Sequence, residues 1–207
     1  MNIFISANNT GKGKTHSTLL LMEYLAQKGY KIGVMKPIET GVENFPQDGL
    51  KLFEKAKELN PLLNALTIDD IVPVQHTLPA APIVSGKVDF DKIKKAYDKI
   101  NPLCDILLIE GAGGVLVPVT DSFKMIDFLS FFNAKLLLVI GSNLGMINDF
   151  LLNKHYLETT NINYTYAVNL FDENEYFKIS HPFMKRYDPL FIQKDLDKIT
   201  QQLLKKN

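Results

Sequence analysis

Ser6-Ala7-Asn8-Asn9-Thr10-Gly11-Lys12-Gly13-Lys14-Thr15 could cradle a phosphate. It follows the apolar run Ile3-Phe4-Ile5 and precedes Leu19-Leu20-Leu21-Met22 with Tyr24-Leu25, an apolar helical pattern. A strand, a glycine-rich turn, Gly-Lys-Thr and a helix are the context in which a phosphate loop forms. Backbone N–H groups of the turn and free amides at the helix start then converge on an anion. Lys14 is expected to reach β- and γ-phosphates, and the Thr15 hydroxyl to meet Mg²⁺. Ala7 stands where the first loop glycine is usual.

Three further stretches carry candidate chemistry. Lys36-Pro37-Ile38-Glu39-Thr40-Gly41 follows a second apolar run and reads as a rigid loop presenting an ammonium. Glu110-Gly111-Ala112-Gly113-Gly114 follows a third, where a second acidic contact to Mg²⁺ belongs, with glycines that let backbone approach a ligand. Gly141-Ser142-Asn143-Leu144-Gly145-Met146-Ile147-Asn148 is another strand-to-helix junction. Its helix start would attract an anion such as a substrate carboxylate, or simply reverse the chain. Asp48 reads equally as a helix N-cap and as a third metal carboxylate. His16 follows the loop at the helix start, whereas His76, His155 and His181 have no metal-ligand spacing. No serine–histidine–aspartate logic emerges. The lone cysteine, Cys104, excludes an internal disulfide and reads as a buried small hydrophobe.

The elements that must position these residues alternate along the chain. Strands are expected at 3–5, 31–35, 106–109 (ending at Glu110), 136–140 (ending at Gly141) and 164–168 (ending at Asn169). Helices are expected from the loop to about Lys28, with Gly29 as the stop, and at 49–59, 90–100, 125–132, 147–159 and 196–205. The longest apolar runs are continuous rather than alternating, which predicts a parallel sheet covered on both faces. The fold class is therefore α/β: an open, mainly parallel sheet with right-handed crossovers and helices on both faces. Residues 60–87, with Pro61, Pro73, Pro79 and Pro82, read as an irregular excursion plus a short helix. Lys36, Glu110, Gly141 and Asn169 all fall at the carboxyl ends of strands, where open α/β sheets bind ligands.

Composition excludes other classes. The 207 residues suit a single domain over 1–207, and 46% hydrophobic residues supply a normal core. Zero formal net charge gives no nucleic-acid surface. The basic residues at 92–95 and at the C-terminus read as solvated helix faces. No secretory signal pattern and no membrane-length apolar run occurs, which predicts a cytoplasmic enzyme.

The four motifs together resemble dethiobiotin synthetase, from the first strand to about Asn169. The pairing of Lys-Pro-x-x-Ser/Thr-Gly with Glu-Gly-Ala-Gly-Gly is the selective part. The resemblance implies a phosphate-loop NTPase-like fold and a homodimer. It implies ATP-dependent carboxylation of 7,8-diaminopelargonic acid by CO₂, phosphorylation of the carbamate and closure of the ureido ring. It makes Lys36, Lys14 and Thr10 catalytic. Gly11, Lys12, Gly13, Lys14, Thr15, His16, Glu110, Gly111, Ala112, Gly113 and Asn169 become the nucleotide set. Thr10, Lys36, Thr40, Gly145, Ile147 and Asn148 become the substrate set, and Thr15, Asp48 and Glu110 the Mg²⁺ ligands. By analogy the partner subunit contributes the Gly145–Asn148 helix start.

Some positions depart from the family pattern. Gly11 stands where many members carry Glu, and Leu170 follows Asn169 where the family has Asp. The usual base-binding segment finds no counterpart beyond Asn174, so weaker discrimination between ATP and other triphosphates is expected. Two rivals share parts of the pattern. Cobyrinate-type amidating synthetases usually carry a glutaminase domain, for which 207 residues leave no room. ParA/MinD-like switch ATPases commonly place a second lysine five residues before the loop lysine, where this chain has Asn9.

Overall fold

The computed structural model describes residues 1–205; the last two residues of the expected 1–207 domain lie outside that range. The first half contains β1 (Asn2–Ala7), α1 (Lys14–Gln27), β2 (Ile32–Met35), β3 (Ile38–Thr40) and α2 (Gln47–Leu59). It continues through α3 (Ile68–Ile71), β4 (Val74–His76), α4 (Pro82–Ser85) and α5 (Phe90–Ile100). The second half contains β5 (Ile106–Gly114), α6 (Phe128–Phe131), β6 (Ala134–Gly141), α7 (Met146–Thr159) and β7 (Tyr164–Asn169). It ends with α8 (Glu173–Ile179), α9 (His181–Met184), β8 (Leu190–Phe191) and α10 (Leu196–Leu204).

Six strands form one sheet in the order β2-β5-β1-β6-β7-β8, and every pairing is parallel. The chain steps from β1 across β5 to β2, then from β5 across β1 to β6. With right-handed crossovers this change of direction puts α1 on one face and α5, α6 and α7 on the other. Phe4 of β1 meets Phe128 of α6 on that second face, and Phe128 meets Phe90 of α5. The reversal occurs beside β1, so the phosphate loop leaves the sheet at the topological switch point, where open α/β sheets open a crevice. No helix of the described residues is long and apolar enough to cross a membrane.

Local signals account for most elements. The strands β1 and β2 are buried throughout, as continuous apolar runs require. Gly29, at φ +89°, ends α1 and donates its N–H to the Ala26 carbonyl at 2.9 Å. The Asp89 side chain caps α5 by accepting the Lys92 N–H at 2.9 Å.

Four expectations need correction. The third strand does not end at Glu110: β5 runs on to Gly114, which pairs with Ala7 across a register shift. Glycine permits this, because a Cβ at Gly111 would lie 2.8 Å from Phe4 Cζ. Residues 38–40 are not a loop but a strand, paired in parallel with β4 as a second, two-stranded sheet. The segment 60–87, expected to be irregular with one short helix, holds α3, β4 and α4. The helix expected at 125–132 starts as a 3₁₀ turn, Met125–Asp127, before α6. The sheet also gains β8, whose two residues gave no periodic signal.

Candidate active site

The loop after β1 closes on itself before α1 begins. Gly13 takes φ +84°, and a Cβ there would sit 2.0 Å from Asn169 Nδ2, so glycine is needed for both backbone and space. Lys14 opens α1 and is only 7% exposed; its Nζ turns back to the Asn9 carbonyl at 3.4 Å. Thr15 faces β5, and its Oγ1 donates to Glu110 Oε1 at 2.9 Å. One turn on, Thr18 Oγ1 lies 2.9 Å from Glu110 Oε2 and 2.8 Å from the Lys14 carbonyl, with one proton to serve both.

Glu110 has no exposed surface. Its third neighbour is Lys36, whose Nζ donates to Oε1 at 2.5 Å and lies 3.5 Å from Asp48 Oδ2. Lys36 is 4% exposed, so this pair depends on its mutual attraction and its hydrogen bonds to offset desolvation. Asp48 is not an N-cap. It is the second residue of α2, whose cap position is Pro46, and its N–H is held by Glu39.

The two ammoniums titrate differently. Burial, reinforced by the nearby charge of Lys36, pushes Lys14 down to about 8. Burial also pushes Lys36 down, but Glu110, Asp48 and Glu39 together outweigh it and hold Lys36 above the usual lysine value. Burial raises the Glu39 carboxyl despite its bonds to the Gly49 and Asp48 N–H groups. Lys36 therefore stays charged, whereas Lys14 is poised to lose its proton in mildly alkaline solution.

A cavity of about 660 Å³ opens over these groups. Of the residues marked out from sequence, Thr10, Gly11, Gly13, Lys14, Thr15, Lys36, Thr40, Asp48, Ala112 and Gly113 line it. Glu110 stands behind Thr15 and Lys36 rather than on the surface of the cavity. Lys12 points elsewhere, donating to Asn143 Oδ1 at 2.8 Å, and His16 is exposed outside the lining. Gly111 also lies off the lining. Asn169 is buried, and both ends of its amide are engaged: Nδ2 donates to the Lys12 carbonyl at 3.1 Å, and Oδ1 accepts from Gln193 Nε2 at 2.7 Å. Gly145, Ile147 and Asn148 stand at the start of α7, outside the lining.

Thr15, Asp48 and Glu110 offer one hydroxyl and two carboxylates, and the Lys36 ammonium already bridges the carboxylates. Such hard oxygen donors suit a cation that keeps water and also takes phosphate oxygens. Among the described residues no group of three or more His, Cys, Asp or Glu is placed to hold a metal ion by itself.

Several lining residues were not foreseen: Glu39, Val117, Phe171 and the turn Pro79-Ala80-Ala81-Pro82. Thr18 could have been found, because it lies four residues after Lys14 on the same helix face. Gln193 carried no signal, since it reaches Asn169 only through the late strand β8.

The sequence matches the AAA domain family over residues 1–180. Solved structures share the fold. A plasmid partition protein from Borrelia burgdorferi superposes with a TM-score of 0.52 at 14% identity, covering 98% of this chain and 95% of that one. The MinC:MinD cell division complex of Aquifex aeolicus gives 0.50 at 19% identity, over 97% of this chain and 85% of that one. At such identities the likeness is one of fold.

Sequence relatives are more specific. The ATP-dependent dethiobiotin synthetase of Sulfurovum sp. is 42% identical over 92% of this chain and 91% of its own. The synthetases of Wolinella succinogenes and of Helicobacter pylori J99 are 38% identical over 98% and 97%, and 33% identical over 90% and 89%. With the Gly-Lys-Thr loop, Lys36 and Glu110 meeting around one crevice of a parallel sheet, this chain belongs to the ATP-dependent dethiobiotin synthetases.

Proposed function

We propose that this chain uses ATP and CO₂ to convert 7,8-diaminopelargonic acid to dethiobiotin, with Lys14 and Lys36 as its central charges. One observation carries the assignment of roles: two buried ammoniums share a cavity beside a hydroxyl and two carboxylates. One substrate amine takes up CO₂ as a carbamate. The carbamate oxygen attacks the γ-phosphorus, and ADP leaves. The second amine then attacks the carbonyl carbon of the mixed anhydride, and phosphate leaves as the ring closes.

The attacking carbamate and the γ-phosphate are both anions, so the first transfer is opposed by their repulsion. Lys14 stabilises the β- and γ-phosphates, and Lys36 the carbamate and the transferring phosphoryl group. In a water-poor crevice such fixed charges act far more strongly than in bulk solvent. Thr10 and Thr40 supply hydroxyls along the path of the phosphoryl group and the substrate. Phosphoryl transfer needs mainly positioning and charge compensation, so a site without a catalytic histidine suffices.

Thr15, Asp48 and Glu110 are the residues proposed to hold Mg²⁺, which when bound would offset part of the triphosphate's charge. Asp48 and Glu110 both face Lys36 with the Thr15 hydroxyl beside them, an oxygen-rich arrangement that supports a further cation here. The remaining nucleotide set, Gly11, Lys12, Gly13, His16, Gly111, Ala112, Gly113 and Asn169, is proposed to shape the loop and its surroundings. Engagement of the Asn169 amide by Lys12 and Gln193 supports relaxed base selectivity, because a satisfied amide is poorly free to read a base edge.

We propose further that the α/β domain acts as a homodimer. Gly145, Ile147 and Asn148 lie off the cavity of their own chain, and Leu144 and Leu152 beside them are 79% and 62% exposed. A second copy would bring this helix start to the substrate carboxylate. A cytoplasmic setting is proposed as well, in keeping with the single cysteine.

The direct test is incubation with diaminopelargonic acid, bicarbonate, ATP and Mg²⁺, with mass spectrometry of the product. The ring-closed urea is expected. ATP hydrolysis without the urea, or hydrolysis stimulated by DNA, would instead favour a switch ATPase.

A further inference from the structure

Helix α2 starts without a cap of its own. Pro46 occupies the cap position and offers no side-chain acceptor. The first-turn N–H groups are met from outside the helix, by Glu39 of β3. Its Oε1 accepts the Asp48 N–H at 3.0 Å and its Oε2 accepts the Gly49 N–H at 2.8 Å. These are the second and third residues of the helix, the usual targets of a capping side chain.

The approach is close. A Cβ on Gly49 would lie 2.0 Å from Val72 Cγ2 and 3.2 Å from Glu39 Oε2, so the helix start is wedged between β3 and the residue after α3. Glu39 itself is 7% exposed and lies on the cavity wall. Its strand is pinned by pairing with β4, Glu39 opposite Gln75. Asp48 is thus attached through its own backbone to a rigid strand, with its carboxylate 3.5 Å from Lys36.

We propose that Glu39 is a positioning residue, which grips the first turn of α2 so that the Asp48 carboxylate is held for the cation and the phosphates. The role rests on the reaction proposed above. A carboxylate suits it on two grounds. It has an oxygen for each N–H, and its charge lies at the positive end of the helix. Its negative charge also adds to those of Asp48 and Glu110 in keeping Lys36 protonated. Outer groups that orient a metal ligand typically change metal affinity or activity by about 10- to 100-fold when altered.

The test compares wild type, Glu39→Gln, Glu39→Ala, Asp48→Asn and the double variant Glu39→Gln/Asp48→Asn. Glutamine keeps the shape but turns an amide donor toward one of the two N–H groups. The readouts are Mn²⁺ binding to the protein with a non-hydrolysable ATP analogue, by electron paramagnetic resonance, and amide hydrogen exchange at residues 47–50 without metal. Faster exchange and roughly tenfold weaker Mn²⁺ binding are expected in Glu39→Gln, with a larger effect in Glu39→Ala if that variant folds. Adding Glu39→Gln to Asp48→Asn should weaken Mn²⁺ binding no further, because the effect runs through Asp48. Faster exchange with unchanged Mn²⁺ affinity would reduce Glu39 to a structural cap and overturn the proposal. Additive effects in the double variant would overturn it too. Wild-type protein that binds Mn²⁺–nucleotide but forms no urea would count against the proposed reaction and leave this result standing.

Discussion

The rim above the sheet has two halves built in opposite ways. Around β5, β2 and the phosphate loop, charged groups are buried close together: Lys14, Lys36 and Glu110 are at most 7% exposed, and Lys36 meets two carboxylates. Around β7 and β6 the buried polar groups are neutral and bonded to one another, and the ammonium of Lys12 is held on the Asn143 amide at 2.8 Å. Asn169 holds Gln193 and the Lys12 carbonyl, and Ser142 Oγ accepts the Phe171 N–H at 2.9 Å. The first half offers strong fields to a ligand that brings charge. The second offers a shape, with half-exposed Phe171 on the cavity wall. On the reaction proposed above, the contrast fits a nucleotide gripped by its phosphates and only accommodated by its base.

Lys36→Ala should break the charged half most severely. A fall in kcat of about 10³ or more is expected from losing a preorganised charge stabiliser, measured by single-turnover urea formation. Thermal unfolding should show a lower Tm as well, because Glu110 is left buried without its cation. Near-normal turnover would remove Lys36 from the chemistry.

Lys14→Ala should weaken nucleotide binding and turnover together, each by roughly 10², as expected for a lost charged contact to phosphate. Unchanged affinity in calorimetry would count against the loop assignment. Asp48→Asn should cut activity by about tenfold or more while changing stability by no more than about 1 kcal/mol, since Asp48 does not cap its helix. Full activity would exclude it from the metal set.

The proton on Lys14 sharpens the comparison further. Its value of about 8 in the free protein lies below the ordinary lysine value. Between about pH 8 and the unfolded lysine pKa the unfolded chain binds more protons at this site. The unfavourable contribution of Lys14 to stability is therefore present below pH 8 and fades as pH rises through that window. Bound phosphates favour the ammonium, so above pH 8 nucleotide binding should take up a proton. Calorimetry in buffers of different ionisation enthalpy measures it, and an equal heat in all buffers would contradict the burial argument.

The smallest effects belong to the neutral half. ATP, GTP and CTP should be used at rates within about tenfold of one another. Phe171→Ala should weaken all three similarly, by about tenfold, if the ring supports the base by stacking. Strict dependence on ATP would show that the base side reads as well as accommodates.

The motif-bearing strand ends were legible because phosphate chemistry demands particular residues at short spacing. Lys14 and Thr15 are adjacent in sequence, and the apolar runs before Lys36 and Glu110 proved to be neighbouring strands of the main sheet. The short strands β3, β4 and β8 were not legible. Strands of two or three residues carry no periodicity, and their pairing partners are distant in sequence. Glu39 was passed over for the same reason, since nothing local ties it to a helix that begins eight residues later.

Residue type and order alone therefore determined a parallel α/β sheet, a phosphate loop at its first turn, and a lysine after one core strand and a glutamate after the apolar run of another. Tertiary structure alone decided that Glu110 is shared by Thr15, Thr18 and Lys36, that Asp48 is turned toward Lys36, and that the Asn169 amide is spent on its own chain. The physical reason is range. Backbone conformation answers to near neighbours, whereas a buried polar group must find its partners wherever the fold brings them within hydrogen-bond distance.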